Sequence, residues 1–155
     1  MANKPSIILA PVDGSEGSGA SAAYAADLAA ALKVPLRLLY AFPKDPVDMF
    51  GVPTEAPTPK QLEYFSPDAF ARLRDESARE AFDRARKVMG ETEAEVEETV
   101  VPGSPAEAII EHADEAGDPL IVIGSRGLSG LREMMLGSVS HRVLHHANCP
   151  VTVVR

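Results

Sequence analysis

The chain has 155 residues, 45% of them apolar, which suits one compact domain with a full core and excludes global disorder. Its 15 Lys and Arg against 23 Asp and Glu leave a net charge of −8; duplex nucleic acid would be repelled overall, and no long basic run offsets this. No stretch approaches the roughly 20 apolar residues of a membrane helix, and a single cysteine, Cys149, cannot form an internal disulfide, in keeping with a reducing compartment.

Met1-Ala2-Asn3-Lys4-Pro5 carries no apolar signal region and no cleavage site, which predicts a cytoplasmic location. The continuous apolar run Ile7 to Val12 then reads as a strand buried on both faces. Ser18 to Leu32 is Ala-rich and reads as a helix able to lie close to a sheet. Leu36 to Phe42 is a second strand. The segment Pro43 to Phe65 holds Pro43, Pro46, Pro53, Pro57 and Pro59, which predicts an irregular stretch. A loop of that length serves as a lid or a contact surface or is simply mobile, and the last is the expectation here.

Ser66-Pro67 opens a long helix with Ser as cap and Pro at the first helical position. Phe70, Leu73, Ala78, Phe82, Ala85 and Met89 give that helix one apolar stripe. Val96 to Val101 is a third strand, and Glu95, Glu97 and Glu98 suit it to a solvated edge. Ser104-Pro105-Ala106-Glu107 has the form of a capping box, followed by Ile109, Ile110 and Ala113 at helical spacing. Leu120 to Ile123 is another buried strand, Ser138 to His146 a short helix, and Val151 to Val154 the last strand. Strands separated by helices imply right-handed crossovers and a parallel sheet covered on both faces, a single α/β domain without repeats.

In such a sheet ligands bind beyond the carboxyl ends of the strands. The first strand ends in Pro11-Val12-Asp13-Gly14-Ser15 and the fourth in Gly124-Ser125-Arg126-Gly127, with Gly137-Ser138 opening a helix further on. Glycines let backbone approach a ligand closely, and a helix N-terminus favours an anion. Ser138 adds a hydroxyl, while Arg126 and Arg132 can neutralise phosphate charge. An ordinary glycine-rich loop with Ser138 as a helix cap is the alternative, and Asp13 can equally be a turn former before Gly14.

Gly124-x2-Gly127-x9-Gly137-Ser138 resembles the G-2x-G-9x-G-(S/T) signature of ATP-binding universal stress proteins. Pro11-Val12-Asp13-Gly14-Ser15, Gly103-Ser104-Pro105-Ala106, Leu136 to Val139 and Cys149-Pro150-Val151 are similar to that family too, so the resemblance covers almost the whole chain. It implies an adenine nucleotide alpha hydrolase-like fold, a five-stranded open parallel sheet in order 3-2-1-4-5, and a homodimer. It also implies that Gly127, Gly137, Ser138 and Val139 hold the phosphates, largely through backbone N–H groups. Gly124 would lie under ribose and phosphates; Asp13, Ala41 and Ile123, flanked by Pro11 and Val12, would surround the adenosine. Arg126 stands where many members carry His, which keeps a positive charge.

Other patterns carry less. Gly17-Ser18-Gly19-Ala20-Ser21-Ala22 fits a dinucleotide fingerprint, but it begins five residues after Val12, and the second strand ends in Tyr40-Ala41-Phe42 without an acid for a ribose. His141 and His145 stand at i, i+4, yet no Cys or carboxylate obviously completes a metal site, so packed or solvated histidines are expected. Cys149 reads as an inert thiol and Glu91 to Glu98 as a solvated face. There is no nucleophile–base pair and no Lys placed to stabilise a transferring phosphoryl group. The expectation is a non-enzymatic module that binds ATP with Mg²⁺ or Mn²⁺, pairs with its own copy through residues 150–155, and signals to another protein, without nucleic acid or membrane insertion. Slow incidental hydrolysis is compatible with it; a nucleotide-independent scaffold and a nucleotide-processing enzyme are the alternatives.

Overall fold

A computed structural model describes residues 3–52, 54–126 and 136–155. In chain order the elements are β1 (Ile7–Pro11), α1 (Glu16–Leu32), β2 (Leu36–Phe42), α2 (Pro46–Phe50), α3 (Pro59–Glu63), α4 (Pro67–Met89), β3 (Val96–Pro102), α5 (Pro105–Glu115), β4 (Pro119–Gly124), α6 (Ser138–His146) and β5 (Val151–Val154). The five strands are parallel, in the order β3-β2-β1-β4-β5, the order that the family resemblance implies.

The apolar runs are continuous because both sheet faces are covered. Ile8, Ala10, Val12, Leu36, Leu38 and Val122 turn to one core, built with the alanines of α1 and with Ala78, Ala81, Phe82 and Ala85 of α4. Ile7, Leu9, Leu39, Ile121 and Ile123 turn to the other, closed by Ile109 and Ala113 of α5 and Val143 of α6. Val143 is fully buried, and a side chain of its size contributes about 1.5–3 kcal/mol when taken out of water. The alanines Ala22, Ala25, Ala26 and Ala29 are what let α1 lie flat on the sheet. Ser15 caps α1, its hydroxyl accepting from the Ser18 N–H, so the helix begins two residues before the Ala-rich run.

Three local expectations are corrected. The Pro43 to Phe65 segment is not irregular throughout, since it contains α2 and α3. Each starts on a proline, Pro46 after the Asp45 cap and Pro59 after a capping box of Thr58 and Gln61. Proline's fixed φ fits the first helical position, where no N–H partner is lost. The Phe50 ring stacks on Tyr64 and Phe65, with centroids 6.2 and 6.4 Å away. Second, Ser104 and Glu107 do not form a capping box at α5. The Ser104 hydroxyl instead donates to the Glu107 carboxylate, whose other oxygen accepts from Arg142 Nη2 at 2.9 Å. Third, Ser66 holds the N-cap position of α4 before Pro67, as expected, but its side chain makes no capping bond.

At the β3 edge two of the expected carboxylates, Glu97 and Glu98, are partly exposed and also ion-paired. Glu97 meets Arg37 of β2 at 2.8 Å, in direct register, and Glu98 meets Arg86 of α4.

Candidate functional site

The order β2-β1-β4 makes the chain reverse direction across the sheet between β1 and β4, and the carboxyl ends of these strands open a crevice there. A cavity of about 280 Å³ occupies it, just below the usual range of roughly 300–1,000 Å³ for small-molecule sites. Of the residues expected at the site, Pro11, Val12, Asp13, Ala41, Ile123, Gly124, Arg126, Gly137, Ser138 and Val139 all line this one cavity. Gly127 and Arg132 lie outside the described residues.

The wall from β1 is shaped by a tight turn. The Ser15 N–H donates to Asp13 Oδ1 at 2.9 Å, the Asp13 N–H donates to the Ser18 hydroxyl at 3.2 Å, and Gly14 takes φ +84°, a conformation open to glycine. The turn-forming reading of Asp13 therefore holds, and Asp13 also lines the cavity. Across the crevice, Gly124 ends β4. A Cβ there would stand 3.0 Å from the Gly17 carbonyl oxygen, and one on Gly17 would stand 2.8 Å from the Arg126 carbonyl oxygen. Gly17 and Gly124 thus allow the start of α1 to touch the end of β4. Gly19 does the same for α1 against Val88 of α4, with 2.9 Å to Val88 Cγ2. The apparent dinucleotide fingerprint is helix packing.

The opposite wall is the start of α6. Gly137 occupies the cap position with φ −60°, and Ser138 is the first helical residue. The first intrahelical bond runs from His141 N–H to Gly137 C=O at 2.9 Å. Helical geometry therefore leaves the N–H groups of Ser138, Val139 and Ser140 without an intrahelical acceptor, at the positive end of the helix dipole. This end is held by a relay: Gly137 N–H donates to Ser125 C=O at 2.7 Å, and Ser125 N–H to Val154 C=O at 2.8 Å. Ser140 adds a bond from its buried hydroxyl to Gly124 C=O.

Six lining residues were missed in the sequence: Ser18, Leu39, Tyr40, Pro105, Ile109 and Ser140. Leu39 and Tyr40 directly precede Ala41 on β2, and Ser140 follows Ser138 by two positions, so proximity could have found these three. Pro105 and Ile109 come from α5, and only the tertiary fold brings them here. Burial pushes the Tyr40 hydroxyl above its ordinary pKa, opposed by a hydrogen bond with Ser77 and assisted by the Asp13 charge. Tyr40 is therefore a neutral phenol at pH 7, with its ring edge-on to Phe82 at 6.2 Å. Leu39, Ala41, Ile109 and Ile123 give the cavity an apolar part suited to a flat ring. Arg126 and the α6 N-terminus give it a part suited to anionic oxygens.

The family model for the universal stress protein family matches residues 5–155. Universal stress protein MJ0531 of Methanocaldococcus jannaschii is 31% identical over 148 residues, 96% of this chain and 81% of that protein. Universal stress protein YxiE of Bacillus subtilis is 49% identical over 73 residues, 47% of this chain and 49% of YxiE, so that match spans about half of each. Among solved structures, the universal stress protein UspA of Lactobacillus plantarum superimposes with a TM-score of 0.74 at 25% identity, covering 99% of this chain and 100% of that one. A universal stress protein in complex with cAMP superimposes with a TM-score of 0.63 at 26% identity, covering 99% of each chain. Fold, cavity and sequence similarity converge, and the chain belongs to the universal stress protein family.

Proposed function

We propose that the cavity binds an adenine nucleotide, ATP in the working state, and that its occupancy regulates a homodimer acting on another protein. The observation that carries this is the joining of the two halves of one cavity: an apolar pocket under Ala41 and Ile123, and the α6 N-terminus, whose first N–H groups have no intrahelical acceptor, beside Arg126. The base would lie in the first, and the phosphates would run to Gly137, Ser138 and Val139 in the second. The similar structure solved with cAMP supports the adenine assignment. The residues fit a nucleotide that brings its own cation: among the described residues no group of three or more His, Cys, Asp or Glu could hold a metal, so Mg²⁺ or Mn²⁺ would be carried on the phosphates.

Homodimerisation would use β5, which among the described residues pairs only with β4 and whose four residues are all part-exposed. Two such edges meeting antiparallel across a two-fold axis would remove both. The protein would be a binding module rather than an enzyme, since binding without added transition-state stabilisation gives little catalysis. A mass spectrum of the small molecules released on denaturing the purified protein tests the reading. ATP or ADP in near-stoichiometric amount is expected. No nucleotide together with no thermal shift at millimolar ATP would overturn it in favour of a nucleotide-independent scaffold, and fast steady turnover would make the protein an enzyme.

A further inference from the structure

The nucleotide reading leaves unused the histidines of α6, one turn beyond the cavity wall. His141 and His145 stand one helical turn apart on α6, and both are exposed. Their rings have converged: the centroids lie 4.3 Å apart with the planes at 73°. Residues at i and i+4 on a helix share a face, and two imidazoles so placed reach one ion between them, as in helical zinc motifs. Sequence spacing alone left open whether the two rings point the same way; the ring contact shows that they do.

We propose that His141 and His145 chelate a divalent transition-metal ion of tetragonal preference, Cu²⁺ ahead of Ni²⁺. The donor set selects the ion. Two imidazole nitrogens suit Cu²⁺, Ni²⁺ and Zn²⁺, whereas Mg²⁺ and Ca²⁺ want oxygens. A structural zinc site needs four protein ligands, and no third His, Cys, Asp or Glu joins this pair among the described residues. Square-planar or tetragonal coordination by two nitrogens and two waters suits Cu²⁺ and Ni²⁺, and for a given site Cu²⁺ binds tightest of the divalent series. Solvent exposure of both rings leaves room for those waters. The nearby carboxylate of Glu107 is engaged by Arg142 and Ser104, and Asp114 accepts from Asn148 at 3.0 Å. The site is therefore a two-nitrogen clip on a rigid helix, and the nucleotide need not be bound for it to work.

Calorimetric titration of the full chain with CuCl₂ and with NiCl₂ at pH 7.5 tests this. The wild type should take up one ion, Cu²⁺ more tightly than Ni²⁺. His141→Ala and His145→Ala should each weaken binding roughly tenfold to a hundredfold, because the second imidazole acts as an intramolecular ligand. His146→Ala, an exposed neighbour on the same turn, should bind as the wild type does. Unchanged thermal unfolding of the metal-free variants shows that the fold is intact, which is expected for exposed positions. No uptake at tens of micromolar metal, or equal affinity in wild type and both single variants, or an equal loss in His146→Ala, would overturn the proposal.

Discussion

Replacing Gly17 by alanine tests how the cavity is built. The new methyl would stand 2.8 Å from the Arg126 carbonyl oxygen, with backbone on both sides of the contact: the first turn of α1 and the segment after β4. Neither can turn aside as a side chain would. Overpacking of this kind costs typically about 1–3 kcal/mol, while alanine returns at most about 1 kcal/mol of helix propensity. The net loss, up to about 2 kcal/mol, should lower Tm by up to roughly 8 °C in a domain of this size. Gly19→Ala is the internal control. Its methyl would meet Val88 Cγ2 at 2.9 Å and Val88 Cβ at 3.3 Å, but these are atoms of one side chain that is 54% exposed on the surface of α4, and a small shift of that side chain costs less than moving backbone. That variant should lose less stability than Gly17→Ala. Differential scanning calorimetry of the three proteins decides the matter. Equal Tm for Gly17→Ala and Gly19→Ala, or a more stable Gly17→Ala, would show that the contact between α1 and the end of β4 is not tight.

Other consequences follow from single groups. Burial first, then the Arg37 charge, holds His112 below the ordinary imidazole pKa, with Arg37 Nη1 donating to His112 Nε2 at 3.1 Å. The folded state thus favours the neutral ring, so this stability is present above about pH 6.5 and is lost as pH falls through the lower folded value. His112→Gln should flatten the fall of Tm between pH 7 and pH 5; an unchanged slope would refute the assignment. Burial and the Asp114 charge push the Cys149 thiol up, so alkylation by iodoacetamide at pH 8 should be slower than that of a free cysteine peptide and should match it after unfolding. Equal rates before unfolding would mean that the thiol is not shielded. Val153→Asp should shift the light-scattering mass from dimer toward monomer without unfolding the domain, and a dimer indifferent to this change would place the interface elsewhere.

How far the letters carried the fold depended on whether the deciding contact was local. The strands were legible because burial on both faces leaves uninterrupted apolar runs such as Ile7 to Val12. The cavity was legible because strand ends and the start of α6 are marked by Asp13, Gly124 and Gly137-Ser138. Glu107 shows the limit. Its spacing from Ser104 spells a capping box, but Arg142 of α6, 35 residues away, takes one of its oxygens, and no local rule sees that partner. Pro46 and Pro59 show another: a proline that stops one element can start the next, and only its Asp45 or Thr58 neighbour tells which. Gly17 resembled part of a nucleotide fingerprint because a close backbone approach demands glycine whether the other party is a phosphate or a second segment of the same chain, and Gly19 because a helix packed closely on the Val88 side chain favours a small residue.

The central claim, that the α6 N-terminus receives nucleotide phosphate, is tested most directly at Gly137. Its φ of −60° and ψ of 157° are open to any residue, so Gly137→Val should fold while its side chain fills the space that phosphate must enter. Calorimetric titration of ATP with Mg²⁺ into wild type and Gly137→Val is the measurement. The account predicts saturable one-site binding by the wild type and none by the variant at equal thermal stability. A folded Gly137→Val that binds ATP as the wild type does would contradict it.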